Sequence, residues 1–111
     1  MKLLYIAGPY RGKSYNEIYH NVHAAREVAE SVLTCCPDWF PITPHLNTAY
    51  MDGVADDQVF LDGDIELMKR MDAILMLLNW AESSGARHER DIAVELGIKI
   101  YYSFAQLRRG E

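Results

Sequence analysis

The sequence predicts an α/β protein of the doubly wound, flavodoxin- or Rossmann-like class, with one mainly parallel sheet of four to five strands, strand order 2-1-3-4, and helices on both faces. Three observations predict it. Short runs at residues 3–7, 73–78 and 98–102 are apolar, or β-branched and aromatic, as the buried strands of a parallel sheet are. Between them lie longer segments whose apolar residues recur at helical spacing, so each strand is followed by a helix. Helices between strands return the chain to the same end of the sheet, which makes the strands parallel and the crossovers right-handed. At 111 residues the chain reads as a single domain, residues 1–111, able to bury roughly two thirds of its unfolded surface.

The first strand, residues 3–7, stops at Gly8-Pro9, and residues 10–14 form a loop. In residues 15–33 the positions Ile18, Val22, Ala25, Ala29 and Val32 or Leu33 make one apolar stripe, which predicts a helix lying on the sheet. Trp39, Phe40 and Ile42 favour a second strand within residues 38–45. Pro41 and Pro44 each lack a ladder donor, so this strand belongs at the sheet's edge. Residues 46–54 carry no clear period; one helical turn is expected around residues 47–51, with Gly53 as a break. Asp56-Asp57 opens a helix to about Met71, its acidic first turn suiting the positive end of the helix dipole. The third strand is residues 73–78. A Ser/Gly turn follows, then a helix over residues 87–96 closed by Gly97, and a fourth strand at residues 98–102. Residues 104–111 form a short helix or fray.

Composition removes several function classes. Half the residues are hydrophobic and 24% are charged, the balance of a globular chain. The net charge is −5 and, apart from Arg108-Arg109, the basic residues are scattered, so binding to a long nucleic acid is not expected. No apolar run approaches the roughly 20 residues that span a bilayer, and the first residues do not read as a signal peptide. A cytoplasmic protein without membrane contact is expected. Cys35 and Cys36 are adjacent, a spacing that suits neither a mutual disulfide nor zinc, and no metal or cofactor is expected.

The residues able to carry chemistry lie in the loops at the carboxyl ends of the first and third strands, which face each other across the switch point of a 2-1-3-4 sheet. In the first loop, Gly8, Pro9, Arg11 and Gly12 combine glycines for close backbone approach with a guanidinium suited to phosphate or carboxylate. A plain strand-to-helix turn accounts for the same residues. In the second, Ser83, Ser84 and Gly85 precede Glu89, placed in the first turn of a helix; capping of that helix is the alternative role for the serines. His88 reads as a surface or capping side chain. Asp64 precedes Ile65, Leu67 and Met68 and falls at the edge of an apolar stripe, where desolvation raises a carboxyl pKa enough to hold or donate a proton near neutrality. His45 opens onto the same end of the sheet, as a ligand contact or as loop packing.

With both loops in view, the chain resembles the nucleoside 2-deoxyribosyltransferase superfamily, including the 2′-deoxynucleoside 5′-monophosphate N-glycosidases and small phage and bacterial relatives. The resemblance rests on Tyr5-Ile6-Ala7-Gly8-Pro9-Tyr10-Arg11-Gly12, on Asp64-Ile65-Glu66-Leu67 through Asp72-Ala73-Ile74, and on Ser83-x-Gly85-x-x-x-Glu89 with Ala93 and Gly97 after it. It implies a small-molecule nucleoside or nucleotide substrate and Glu89 as a nucleophile at C1′, forming a covalent glycosyl ester as retaining glycosidases do. It also implies that Asp64 protonates or orients the leaving base, that Tyr5 positions Glu89, and that Gly8, Arg11, Gly12, Ser83 and Gly85 hold the sugar and any 5′-phosphate. Asn79-Trp80 stands where several transferases carry an aspartate, which favours hydrolysis over base exchange. The expectation is an N-glycosidase acting on a (deoxy)nucleoside 5′-monophosphate, with a base-exchanging transferase or a non-catalytic nucleotide-binding module as alternatives. A homodimer or higher homo-oligomer is implied as well.

Overall fold

The structure, a computed structural model, describes residues 1–110. Its sheet has four parallel strands, β1 (Lys2–Ala7), β2 (Trp39–Ile42), β3 (Ala73–Met76) and β4 (Lys99–Tyr101), in the order β2-β1-β3-β4. Around it pack α1 (Tyr15–Cys35), the short α2 (Pro44–Asn47), α3 (Asp57–Met68), α4 (Ser84–Leu96) and α5 (Phe104–Arg109). This is the doubly wound architecture expected from the alternation of apolar runs and helical stripes.

Strand alternation sorts the core into two layers. Leu4 and Ile6 of β1 point toward α1, where Val22, Ala25, Ala29 and Val32 supply the predicted stripe; Leu75, Tyr101 and Leu107 of α5 complete that side. Tyr5 and Ala7 point the opposite way with Ile74 and Met76, against Met68 of α3 and Ala86 and Ala93 of α4. Tyr5, a polar-tipped side chain with no exposed surface, is thereby aimed at α4.

The edge strand behaves as its prolines require. The Lys2 amide donates to the Asp38 carbonyl at 2.9 Å, and Leu4 is in register with Pro41. By the two-residue alternation of a strand, the backbone groups of residues 38, 40 and 42 face β1, while those of Trp39 and Pro41 face outward. Pro41 therefore costs the β1–β2 ladder nothing. Pro44, read as a second edge-strand proline, is instead the first residue of α2, where a missing N–H is tolerated. The helical turn expected around residues 47–51 accordingly lies earlier.

Other boundaries differ for local reasons. The helix expected to reach Met71 ends at Met68, and tighter turns carry residues 69–71 into Asp72, whose carboxylate accepts the Leu3 amide at 2.7 Å and whose own amide donates to the Leu3 carbonyl at 2.9 Å. The chain leaves the helix there because it must enter the sheet beside β1. The third strand ends two residues earlier than expected. Leu77 still donates to the Ala7 carbonyl at 2.8 Å, whereas Leu78 is 94% exposed.

Candidate active site

The loops after β1 and β3 open onto one cleft of about 920 Å³, closed at the side by α2, α3 and the segment between them. It lies where the order β2-β1-β3-β4 reverses direction, the switch point at which open α/β sheets leave a crevice.

Glu89 is positioned by α4. A 3-10 turn at Trp80–Glu82 follows β3, and Ser83 then starts the helix, its hydroxyl oxygen accepting from the Ala86 amide at 3.2 Å. The helix thus begins at Ser84, not near residue 87 as expected, and Glu89 lies in its second turn rather than its first. That shift of register matters. Ala86, Glu89 and Ala93 are the buried residues of α4, spaced three and four apart, so Glu89 sits on the sheet-facing stripe between two alanines. The small neighbours bring helix and sheet close enough for the Tyr5 hydroxyl to donate a short hydrogen bond to Glu89 Oε2.

Burial raises the Glu89 carboxyl to about 7, against the Tyr5 hydrogen bond, which favours the ionised form; the nearby Asp64 charge pushes it up further. Asp64, half-buried on α3, is raised by desolvation to about 6. Tyr5 is held well above the ordinary phenol range by burial and then by Glu89, so it remains a donor. Two carboxyl groups that titrate near neutrality thus face one cleft, with a fixed phenol behind one of them.

The other wall is the loop after β1, pinned through its carbonyls. His45 Nε2 lies 3.0 Å from the carbonyls of both Gly8 and Pro9 and so carries the hydrogen; Asn21 Nδ2 donates to Tyr10 O at 3.1 Å and Arg11 O at 3.2 Å. Burial lowers the His45 pKa, leaving a neutral ring that braces the loop. The Tyr10 hydroxyl reaches across the cleft, donating to Asp52 at 2.8 Å and accepting from the Tyr50 amide at 2.8 Å. Tyr50, which makes that bond, has a left-handed conformation with φ 60°.

Packing inside the protein is a reason for two of the candidate glycines. A Cβ on Gly8 would lie 2.4–2.9 Å from the Leu77 side chain, so this glycine serves strand packing. A Cβ on Gly12 would meet Glu17 at 2.4 Å. Of the three candidate glycines, Gly85 alone has ordinary clearance, 3.8 Å from Leu61 and 3.9 Å from Ser83 Oγ. Arg11 is paired with Asp57 at 2.5 Å, and the Glu17 carboxylate accepts the Lys13 amide.

Gly8, Pro9, Arg11, Gly12, His45, Asp64, Ser83, Gly85 and Glu89 therefore line one cleft, with Tyr5 beneath Glu89. His88, read as a surface or capping residue, lines it too. Sequence reading missed Tyr10, Glu17, Asn21, Asp52 and Asp57. Glu17 alone had a local signal, the capping-box spacing Ser14-x-x-Glu17, with Ser14 Oγ accepting the Glu17 amide at 3.2 Å. Among the described residues no cluster of His, Cys, Asp or Glu is arranged to hold a metal ion, and no helix is long and apolar enough to cross a membrane.

A model of the family described as "Domain of unknown function (DUF4406)" matches residues 2–102. No curated protein matches the chain. Similar solved structures include a 2-deoxyribosyltransferase from Bacillus psychrosaccharolyticus, 17% identical with a TM-score of 0.60 over 88% of this chain and 69% of that one. A conserved protein from Enterococcus faecalis V583 is 22% identical, with a TM-score of 0.65 over 96% and 67% of the two chains. A 2-deoxyribosyltransferase from Leishmania mexicana is 24% identical, with a TM-score of 0.58 over 90% and 62%. At these identities the shared property is the fold.

Proposed function

The chain belongs to the DUF4406 family, and from that premise we propose that it is an N-glycosidase cleaving the bond between base and sugar of a (deoxy)nucleoside or nucleotide through a covalent ester on Glu89. The observation that carries this reading is the buried Glu89 carboxyl held by the Tyr5 hydroxyl, in one cleft with the half-buried Asp64. The fold shared with two 2-deoxyribosyltransferases supports a sugar C1′ as the reacting centre.

With Asp64 at about 6 and Glu89 at about 7, the pair holds roughly one proton in that window, resting mainly on Glu89 in the free protein; the reaction runs from the form in which that proton sits on Asp64 and Glu89 is ionised, accepting from Tyr5. Glu89 forms the oxygen–C1′ bond as the C1′–N bond breaks; the electron pair leaves with the base, which takes its proton from Asp64. Water then attacks C1′ and gives a proton to the Asp64 carboxylate, and the ester bond breaks to return the Glu89 carboxylate. Tyr5 fixes the rotamer of the nucleophile, and substrate binding that excludes water strengthens each of these charges. The Ser83 hydroxyl, whose oxygen accepts the helix amide, keeps its own hydrogen for the sugar or a phosphate.

The test is incubation with paired ribo- and deoxynucleosides and their 5′-monophosphates, with free base measured alongside intact-protein mass. Base release and a glycosyl adduct are expected on the natural chain. Glu89→Ala should lose the adduct and at least ~10³-fold in rate. Binding without base release overturns hydrolysis, and a new nucleoside on adding a free base identifies transfer.

A further inference from the structure

The loop Gly8–Gly12 has the composition of an anion seat, yet its guanidinium and the amide that follows it at Lys13 are already paired with carboxylates of the protein. Arg11, the guanidinium that would clamp a phosphate, is paired with Asp57 at 2.5 Å. The Lys13 amide, at the crest of the loop, donates to the Glu17 carboxylate. The same Glu17 side chain packs over Gly12, where an added Cβ would lie 2.4 Å from Glu17 Cβ and 2.8 Å from Oε2. The Ala86 amide in the first turn of α4 is taken by Ser83. Charge points the same way. Glu17, Asp52, Asp57, Asp64, Glu82 and Glu89 line the cleft against only two permanent cations, Arg11 and Lys13.

We propose that Glu17 and Asp57 are specificity-determining residues that occupy the loop's anion position, so that the cleft takes an N-glycoside bearing no negative charge, a nucleoside with a free 5′-hydroxyl, in preference to its 5′-monophosphate. Binding a phosphate on Arg11 and the Lys13 amide requires two carboxylates to leave these donors while a group of charge near −2 enters a net-negative crevice. The exposed Arg11–Asp57 pair is by itself weak, being screened by solvent. Exclusion therefore rests on its combination with Glu17 and on the sign of the whole lining. A 5′-hydroxyl needs neither donor vacated, because Glu17 or Asp52 can accept its hydrogen. This inference rests on the glycosidase reading for the position of the sugar, and its test separates the two.

The measurement is the ratio of kcat/KM for a deoxynucleoside to that for its own 5′-monophosphate, in the natural chain, in Asp57→Asn, and in Asp57→Asn combined with Glu17→Ala. The same ratio is taken from dissociation constants on Glu89→Gln, by calorimetry, so that the result stands whether or not turnover occurs. We expect the natural chain to favour the nucleoside at least tenfold, Asp57→Asn to narrow the ratio about threefold, and the double variant to narrow or invert it by tenfold or more. Glu17→Gln keeps an acceptor for the Lys13 amide, and so separates loop integrity from charge; it should narrow the ratio while leaving the melting temperature in place. Preference for the monophosphate in the natural chain overturns the proposal, as does a ratio indifferent to all these changes, or failure of both molecules to bind Glu89→Gln at millimolar concentration. Base release from neither molecule, with the binding ratio as expected, overturns the glycosidase reading alone.

Discussion

Glu89 carries a conflict between folding and reactivity. Its carboxyl is raised from an ordinary value of 4.5 to about 7, so the folded protein binds its proton more tightly than the unfolded chain does. The stabilisation of the protonated form is fully present below about 4.5 and is lost as pH rises through about 7. Asp64 acts with the same sign between 3.8 and about 6. Glu89→Gln, which keeps the acceptor for Tyr5 and removes the buried charge, is therefore expected to stabilise the protein at pH 8 by ~1–3 kcal/mol and by almost nothing at pH 4. Urea unfolding of both chains at the two pH values checks it; a gain independent of pH would mean that the charge is not what is being relieved. Glu89 and Asp64 were legible as cleft candidates from their place in the sequence and Tyr5 only through the resemblance, but the depth of Glu89 was not. Reading the helix from residue 87 put Glu89 near solvent at the helix dipole, because Ser84 and Gly85 look like turn residues until Ser83 is seen to cap them.

At the scale of the element, α4 shows how a cap sets chemistry. Ser83 fixes where the helix starts, and the start fixes which face carries residue 89, since each residue of shift turns the stripe by about 100°. Ser83→Ala is expected to cost ~0.5–2 kcal/mol, read as a fall in melting temperature of several degrees. It should also raise KM, because Gly85 and the first turn line the cleft. Unchanged KM with a lowered melting temperature would confine Ser83 to capping. Helices with a clear apolar stripe were legible to within two or three residues: α1 extends to Cys35 rather than residue 33. The segment from α2 to α3 was not legible, because what shapes it is distant. Tyr10, forty residues from Tyr50, supplies the hydroxyl that holds it.

At the scale of the molecule, the strand order was readable because the topology follows from few rules: parallel strands, right-handed crossovers and a proline-bearing edge. The cleft followed from the order. What the sequence did not disclose was the loop's self-sufficiency, since Glu17, Asn21 and His45 reach it from α1 and α2 and their partners are backbone carbonyls and amides, which carry no sequence signature. The same edge has a bearing on life in a crowded solution. Any open sheet border is a template on which a second chain can extend the ladder, and β2 presents Trp39 and a 45% exposed Phe40 there. Pro41, turned outward, interrupts that template at its middle without weakening the bond to β1. Pro41→Val would restore an unbroken Trp-Phe-Val-Ile border. The expected result is concentration-dependent assembly with added β signal, visible by light scattering and infrared spectroscopy, while the natural chain at the same concentration stays clear. One ring thus breaks the donor row along one of the sheet's two open borders.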